Sequence, residues 1–182
     1  MNKIRNLHIK KNTSEIALFG GKPLFIKPIG TSGLARPNFN RFISYSECFF
    51  RAKQYTNNGP LVKLLESRLA EFHQAEYCVS FCSGFWAMVL AIDVLKLPNK
   101  SEVIMPSLTY RRLADLAAWT GLKPRFCEVD RNTLSLTADS VRSVLSDETS
   151  LIVGVHPIVN LCNTESLVSI SSEYSIPLLI DS

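Results

Sequence analysis

The sequence predicts an α/β fold, with a mostly parallel sheet covered by helices on both faces. From Tyr77 onward, short β-rich runs begin roughly every 25 residues, the repeat of a strand–helix–strand unit. Most of these runs are apolar along their length, as strands buried on both faces must be. Helix-period segments with capping residues fill the gaps.

The predicted strands are Tyr77–Phe81, Glu102–Met105, Pro124–Val129, Leu151–Val155 and Leu178–Asp181. Between the first two, Phe85–Lys96 is apolar nearly all round, through Phe85, Trp86, Met88, Val89, Leu90, Ile92, Val94 and Leu95, which predicts a helix buried on most sides. Tyr110–Trp119 follows Thr109, an expected N-cap, and stops before Gly121, an expected C-terminal glycine. Thr137 and Thr164 are placed to cap helices running to about Leu145 and Tyr174. Before Tyr77 the pattern changes. Ser14–Asn40 is rich in glycine and proline and has no period, so it reads as an arm or irregular loop. Ser44–Gln54 reads as a short helix, Thr56–Pro60 as a turn with Pro60 at a helix's first position, and Leu61, Leu64, Leu65, Leu69 and Phe72 as the apolar stripe of a helix ending near His73. The organisation is therefore a disordered basic leader over 1–12, an N-terminal arm and helices over 13–76, and a sheet domain over 77–182.

Composition bounds the function. Apolar residues at 46% and charged residues at 20% are those of an ordinary globular domain and argue against disorder. The formal charge of +4 is concentrated in Lys3, Arg5, Lys10 and Lys11; without a basic face elsewhere it excludes a nucleic-acid partner. Lys10, Lys11 and Asn12 interrupt any apolar run behind the leader, and no segment approaches the about 18 apolar residues of a membrane span, so a cytoplasmic protein without a membrane partner is expected. The cysteines, Cys48, Cys78, Cys82, Cys127 and Cys162, are odd in number and form no CxxC pair; buried reduced thiols explain them better than disulfides or a metal site.

In an open parallel sheet, ligands bind beyond the carboxyl ends of the strands. After the first strand, Ser83-Gly84-Phe85 leads into a helix whose N-terminal amides favour an anion such as phosphate, although a plain helix cap uses the same residues. After the second, Tyr110 is placed to stack on a flat aromatic ligand, or to serve as a core or surface tyrosine. Asp181 ends a strand so apolar that its carboxylate needs a partner, either the next turn or a cation such as a protonated pyridine nitrogen. His156 follows the fourth strand, as a hydrogen-bonded structural residue or as an acid or base.

Taken together and in order, TNNGPLVKLLE (Thr56–Glu66), SGFWAMVLAI (Ser83–Ile92), EVIMPSLTY (Glu102–Tyr110), GLKPRFCEVD (Gly121–Asp130), VHPIVNLCN (Val155–Asn163) and IPLLIDS (Ile176–Ser182) resemble the DegT/DnrJ/StrS family of aminotransferases. The likeness runs from about Gly20 to Ser182. It implies the fold-type-I architecture of aspartate aminotransferase and pyridoxal 5'-phosphate (PLP) as cofactor. It places Gly84 and Phe85 at the phosphate, with Ser83 beside them, Tyr110 on the pyridine ring and Asp181 at the ring nitrogen, with Asn160 matched to the loop after the fourth strand. A carboxylate there keeps the nitrogen protonated and the ring a better electron sink. The resemblance further implies a nucleotide-linked keto-deoxysugar as substrate, glutamate as amino donor, and a homodimer with active sites at its interface.

The sequence departs from the family where Phe85 replaces a threonine, Val159 a glycine and Ser182 an alanine. The family's Schiff-base lysine is expected beyond Ser182, so no catalytic residue of that kind is assigned in this chain. Two further strands, which the family's sheet inserts between the fifth strand and the first, and the small C-terminal domain are expected beyond it too. The expected protein is thus the N-terminal part of a PLP-dependent sugar aminotransferase; a sugar dehydratase of the same family with another base in place of lysine, or an inactive truncated remnant, are the alternatives. A dinucleotide-binding domain is disfavoured by the absence of a glycine-rich fingerprint after the first strand.

Overall fold

The computed structural model describes residues 10–23, 36–157 and 160–182; most of the basic leader, the middle of the arm and Val159 lie outside the described residues. The chain divides into two compact units, Met1–Leu65 and Glu66–Ser182. In the first, two single-turn 3-10 helices, Thr13–Glu15 and Ala17–Phe19, occupy part of the expected arm. Helix α1, Phe39–Ala52, begins five residues before the predicted start because the Asn38 side chain caps it, accepting the Arg41 amide at 3.0 Å. Helix α2, Pro60–His73, begins in the first unit and ends in the second, and it opens on its proline as expected. Its apolar stripe is only partly covered: Leu61 and Leu64 are half-buried, whereas Leu65, Leu69 and Phe72 are exposed.

The second unit, Glu66–Ser182, carries the α/β sheet expected from the sequence and begins before the expected boundary at Tyr77. It contains α3 (Gly84–Leu95), β1 (Glu102–Pro106), α4 (Leu113–Trp119), β2 (Lys123–Cys127), α5 (Ala138–Val144), β3 (Thr149–Val155), α6 (Thr164–Tyr174) and β4 (Leu178–Asp181). The four strands form one sheet in the order β2-β1-β3-β4, with every pair parallel. Side-chain alternation along the central strands creates two cores. Val103 and Met105 of β1 and Leu151 and Val153 of β3 meet Ile92 of α3 and Leu113, Leu116 and Ala117 of α4 on one face. Ile104 and Ile152 point to the other, against Val141 of α5 and Leu167 and Ile170 of α6.

Several helix ends follow their sequence signals. Thr137 and Ser140 form a reciprocal capping box at α5, and Gly121 closes α4 at φ 74°. Other expectations need correction. Tyr77–Phe81 joins no sheet: a strand requires a neighbour to receive its backbone groups, and none stands beside it among the described residues. Helix α3 is not buried on most sides; the sheet takes one stripe, leaving Trp86, Leu90 and Val94 exposed. Helix α4 starts at Leu113, after a turn in which the Tyr110 carbonyl accepts the Leu113 amide at 2.9 Å, so Thr109 is not its cap; at α6 the cap is Asn163, one residue before Thr164. Of the cysteines, Cys127 and Cys162 are buried free thiols, whereas Cys48 and Cys82 are exposed. Among the described residues no helix is long and apolar enough to cross a membrane.

Candidate functional site

From β1 the chain moves outward through α4 to β2, then crosses back to β3 and proceeds to β4 on the opposite side. The winding reverses between β1 and β3, and at such a reversal the loops beyond the carboxyl ends diverge and leave a crevice. A cleft of about 630 Å³ lies there. It is lined by Leu108, Thr109 and Tyr110 after β1, Val155, His156 and Pro157 around the end of β3, Asp181 and Ser182 at the end of β4, and Leu134 from the β2–α5 connection.

The register brings three of the expected residues together. Val155 pairs with Asp181 across the β3–β4 ladder, and the next amide, that of His156, donates to the Asp181 carbonyl at 2.9 Å. Asp181 therefore leaves the ladder on the same face as Val155 and Leu179, whereas the His156 imidazole leaves it on the other face, toward Cys162. Tyr110, 65% exposed, lines the same cleft from the β1 side. The loop after β3 is tied at several points: His156 Nδ1 accepts the Cys162 amide at 3.1 Å, the Asn160 amide donates to Pro157 at 3.2 Å, and Asn160 Nδ2 donates to the Thr133 carbonyl at 3.4 Å. Asn160 is exposed and does not line the cleft; its side chain fastens the loop to the turn that carries Leu134.

Ser83, Gly84 and Phe85 lie outside the lining. Ser83 Oγ caps α3, accepting the Trp86 amide at 3.4 Å, so the Gly84 and Phe85 amides, at the helix's first positions, have no partner within the helix. Among the described residues, nothing beyond Gly84's own chain neighbours and helix backbone lies within 4 Å of where its Cβ would stand, which leaves room for a ligand to approach the backbone. Phe85 turns toward α4, where the Arg112 guanidinium lies 4.2 Å from its ring centre, two residues after Tyr110.

Two lining residues had no functional reading in the sequence. Thr109 Oγ1 is buried without a hydrogen-bond partner among the described residues, an arrangement that costs stability unless a ligand or water satisfies it. Threonine beside a strand end is common, and the sequence offers no signal for an orphaned hydroxyl. Leu134 sits at φ 59°, a conformation that branched side chains rarely adopt. It is held there by Asp130, whose carbonyl accepts the Leu134 amide at 2.8 Å and whose carboxylate accepts the Thr133 and Asn132 amides. Those amides, Thr133 first, hold the Asp130 carboxyl below its ordinary range. The Asp130-Arg131-Asn132-Thr133 run is a legible turn signal, although its consequence for Leu134 is not.

A buried orphan hydroxyl, a carboxylate at a strand end, an aromatic ring and an apolar wall are groups of the kind that could hold a flat, cationic heteroaromatic ring. Uncommitted amides at the start of α3, with space before Gly84, suit a phosphate. PLP fits these residues in kind. No lysine is among those lining the cleft.

The profile of the DegT/DnrJ/EryC1/StrS aminotransferase family matches residues 40–182. The dTDP-4-amino-4,6-dideoxy-D-glucose transaminase of Shigella dysenteriae is 33% identical over 155 residues, 85% of this chain and 42% of that protein. The UDP-2-acetamido-2-deoxy-3-oxo-D-glucuronate aminotransferase of Pseudomonas aeruginosa is 32% identical over 68% of this chain and 34% of its own length. Among solved structures, DesI in the presence of its TDP-sugar product superposes with a TM-score of 0.77 at 29% identity, covering 93% of this chain and 43% of that one. GDP-4-keto-6-deoxymannose-3-dehydratase with a trapped PLP-glutamate geminal diamine superposes at 0.70 with 25% identity, covering 85% and 40%. The chain thus spans about two fifths or less of the length of these curated relatives.

Proposed function

The chain belongs to the DegT/DnrJ/EryC1/StrS aminotransferase family, and from that premise we propose that it forms the cofactor-binding part of a PLP-dependent enzyme that aminates a nucleotide-linked keto-deoxysugar, with glutamate as donor and a homodimer as the working form. The observation that carries this reading is the convergence of Tyr110 and Asp181 on one cleft at the sheet's reversal point. When bound, PLP supplies an electron sink for chemistry at the substrate's amine-bearing carbon.

The chain's own residues bind and orient. The Asp181 carboxylate holds a proton on the ring nitrogen, because an anion beside a pyridine favours its charged form. Tyr110 covers one face of the ring and keeps water from it. The Gly84 and Phe85 amides take the phosphate, with Ser83 fixing the helix end that presents them. Asn160 keeps the loop after β3 in place. Relatives that act on dTDP- and UDP-linked sugars support the substrate class.

The test is a titration of the protein with PLP, followed by visible absorbance and equilibrium dialysis. Saturable uptake is expected, weakened about ten- to a hundredfold in Asp181→Ala, as for loss of a charge-assisted hydrogen bond, and unaltered in Asp139→Ala, an exposed side chain of α5. Absence of uptake, or uptake indifferent to Asp181, would sink the reading. A dehydratase resembles this chain as well; incubation with glutamate and a nucleotide-linked keto sugar separates the two activities by product, an amino sugar or a deoxy sugar.

A further inference from the structure

We propose that Arg112 binds the phosphate of the cofactor taken up at the start of α3. Its guanidinium is carried there on the ring of Phe85 and replaces the donor that Phe85, standing where the family has a threonine, takes away. The proposal rests on the cofactor-binding reading above and adds to it a charged side chain from outside the cleft lining. Its ground is the stacking of the Arg112 guanidinium on Phe85, 4.2 Å from the ring centre.

The stack has a direction. Phe85 is the second residue of α3, and helical side chains lean toward the helix's N-terminus, so its ring lies toward the end that presents the uncommitted Gly84 and Phe85 amides. Arg112 comes from the turn between β1 and α4, at the carboxyl end of the sheet where Tyr110 lines the cleft. A cation at that end of a helix is unfavourable by itself, because the first-turn amides already carry partial positive charge. No acidic residue in the first turn of α3 offsets it. Asp115 answers only part of the guanidinium: its carboxylate accepts from Nε at 3.3 Å, in a pair whose side chains are 45% and 55% exposed. The terminal nitrogens of Arg112 have no acceptor among the described residues. Those nitrogens and the two amides are donors gathered at one helix end, with open space before Gly84, and a dianionic phosphate satisfies them together.

Pyridoxine 5'-phosphate and pyridoxine separate the phosphate from the ring, and neither carries an aldehyde that couples to lysines. In equilibrium dialysis of the full chain, Arg112→Ala is expected to weaken pyridoxine 5'-phosphate about tenfold and to leave pyridoxine unaltered. Added salt should weaken the phosphate ester more steeply in the wild type than in this variant, since a half-exposed cation is screened. Phe85→Leu, which keeps an apolar side chain but removes the ring face under the guanidinium, is expected to lose part of the same preference for the ester. Phe85→Thr combined with Arg112→Ala, which returns a hydroxyl to the helix start, is expected to regain part of what Arg112→Ala loses. All of these variants should melt close to the wild type.

Equal losses for both ligands in Arg112→Ala would make the residue a prop for the Tyr110 turn and overturn the proposal. So does an Arg112→Ala protein that binds the phosphate ester as tightly as the wild type. UDP, titrated alongside, should be indifferent to Arg112→Ala; a loss confined to UDP moves the guanidinium to a nucleotide's diphosphate and overturns the assignment. If the wild type takes up neither PLP nor pyridoxine 5'-phosphate, the cofactor reading falls and the role of Arg112 falls with it. Uptake that depends on Asp181 but not on Arg112 sinks the role of Arg112 alone.

Discussion

Strand β3 and the run Tyr77–Phe81 present the same sequence signal, yet they occupy opposite situations. Six of the seven residues of β3 are fully inside, between β1 and β4, with a helix layer on each face. Tyr77 and Val79 are 78% and 70% exposed, and the run pairs with no strand among the described residues. What holds it instead is a carboxylate: Glu66 accepts the Ser80 amide and hydroxyl, each at 2.8 Å. Pattern nominates a strand, and only a neighbour to pair with makes it one. A segment without that neighbour is restrained by whatever polar group lies within reach.

That contrast can be broken at its strong end first. Ile152→Ala, which removes a fully buried side chain from the centre of β3, is expected to cost about 2–5 kcal/mol in urea unfolding. Gly154→Ala adds a methyl 2.7 Å from Ile180 Cδ1 and 2.9 Å from Leu167 Cδ1; both are chain ends that can shift, so about 1–2 kcal/mol is expected by the same measurement. At the weak end, the Glu66 tether makes the exposed run sensitive to acid. The Ser80 amide first, and its hydroxyl second, hold the Glu66 carboxyl below its ordinary value of 4.5. Its contribution is therefore complete above that value and is lost as the pH falls through the lower folded one. The hydrogen-exchange protection factor of the Ser80 amide should decline across that acid window, Glu66→Gln should lower it at neutral pH, and β3 should be indifferent to both. Smallest of all, Val79→Ala should change stability by no more than about 0.5 kcal/mol, since the side chain it shortens is mostly in water. A large effect there would mean that the run packs against a partner in the working protein.

The sheet was legible because β-rich runs, capping threonines and the glycine after α4 are local signals, each tied to a backbone requirement. The central strands, α5 and the C-terminal end of α4 fall close to where the sequence puts them. The boundary errors have local causes that one-dimensional reading cannot weigh, such as an Asn38 side chain that captures a helix start or a turn at Tyr110 that delays one. The lining of the cleft was legible in part, through Asp181, Tyr110 and His156, because residues after parallel strands converge by topology. Thr109 and Leu134 were not, because an orphaned hydroxyl and a left-handed leucine become visible only when their surroundings are assembled. Nor does the sequence show that Phe85, standing where a family member carries a hydroxyl, turns its ring toward the guanidinium of Arg112.

The alternation along β1 and β3 carries a consequence for evolution as much as for folding. Val103 and Ile104 are adjacent in the chain but belong to separate apolar compartments, whereas Val103 and Leu151, far apart in the chain, belong to the same one. Substitutions at residues that share a compartment should compensate or aggravate one another, and those across the sheet should simply add. Each compartment can therefore drift in volume and be repaired from its own side, while the strand ends that carry Tyr110, His156 and Asp181 stay in place between them.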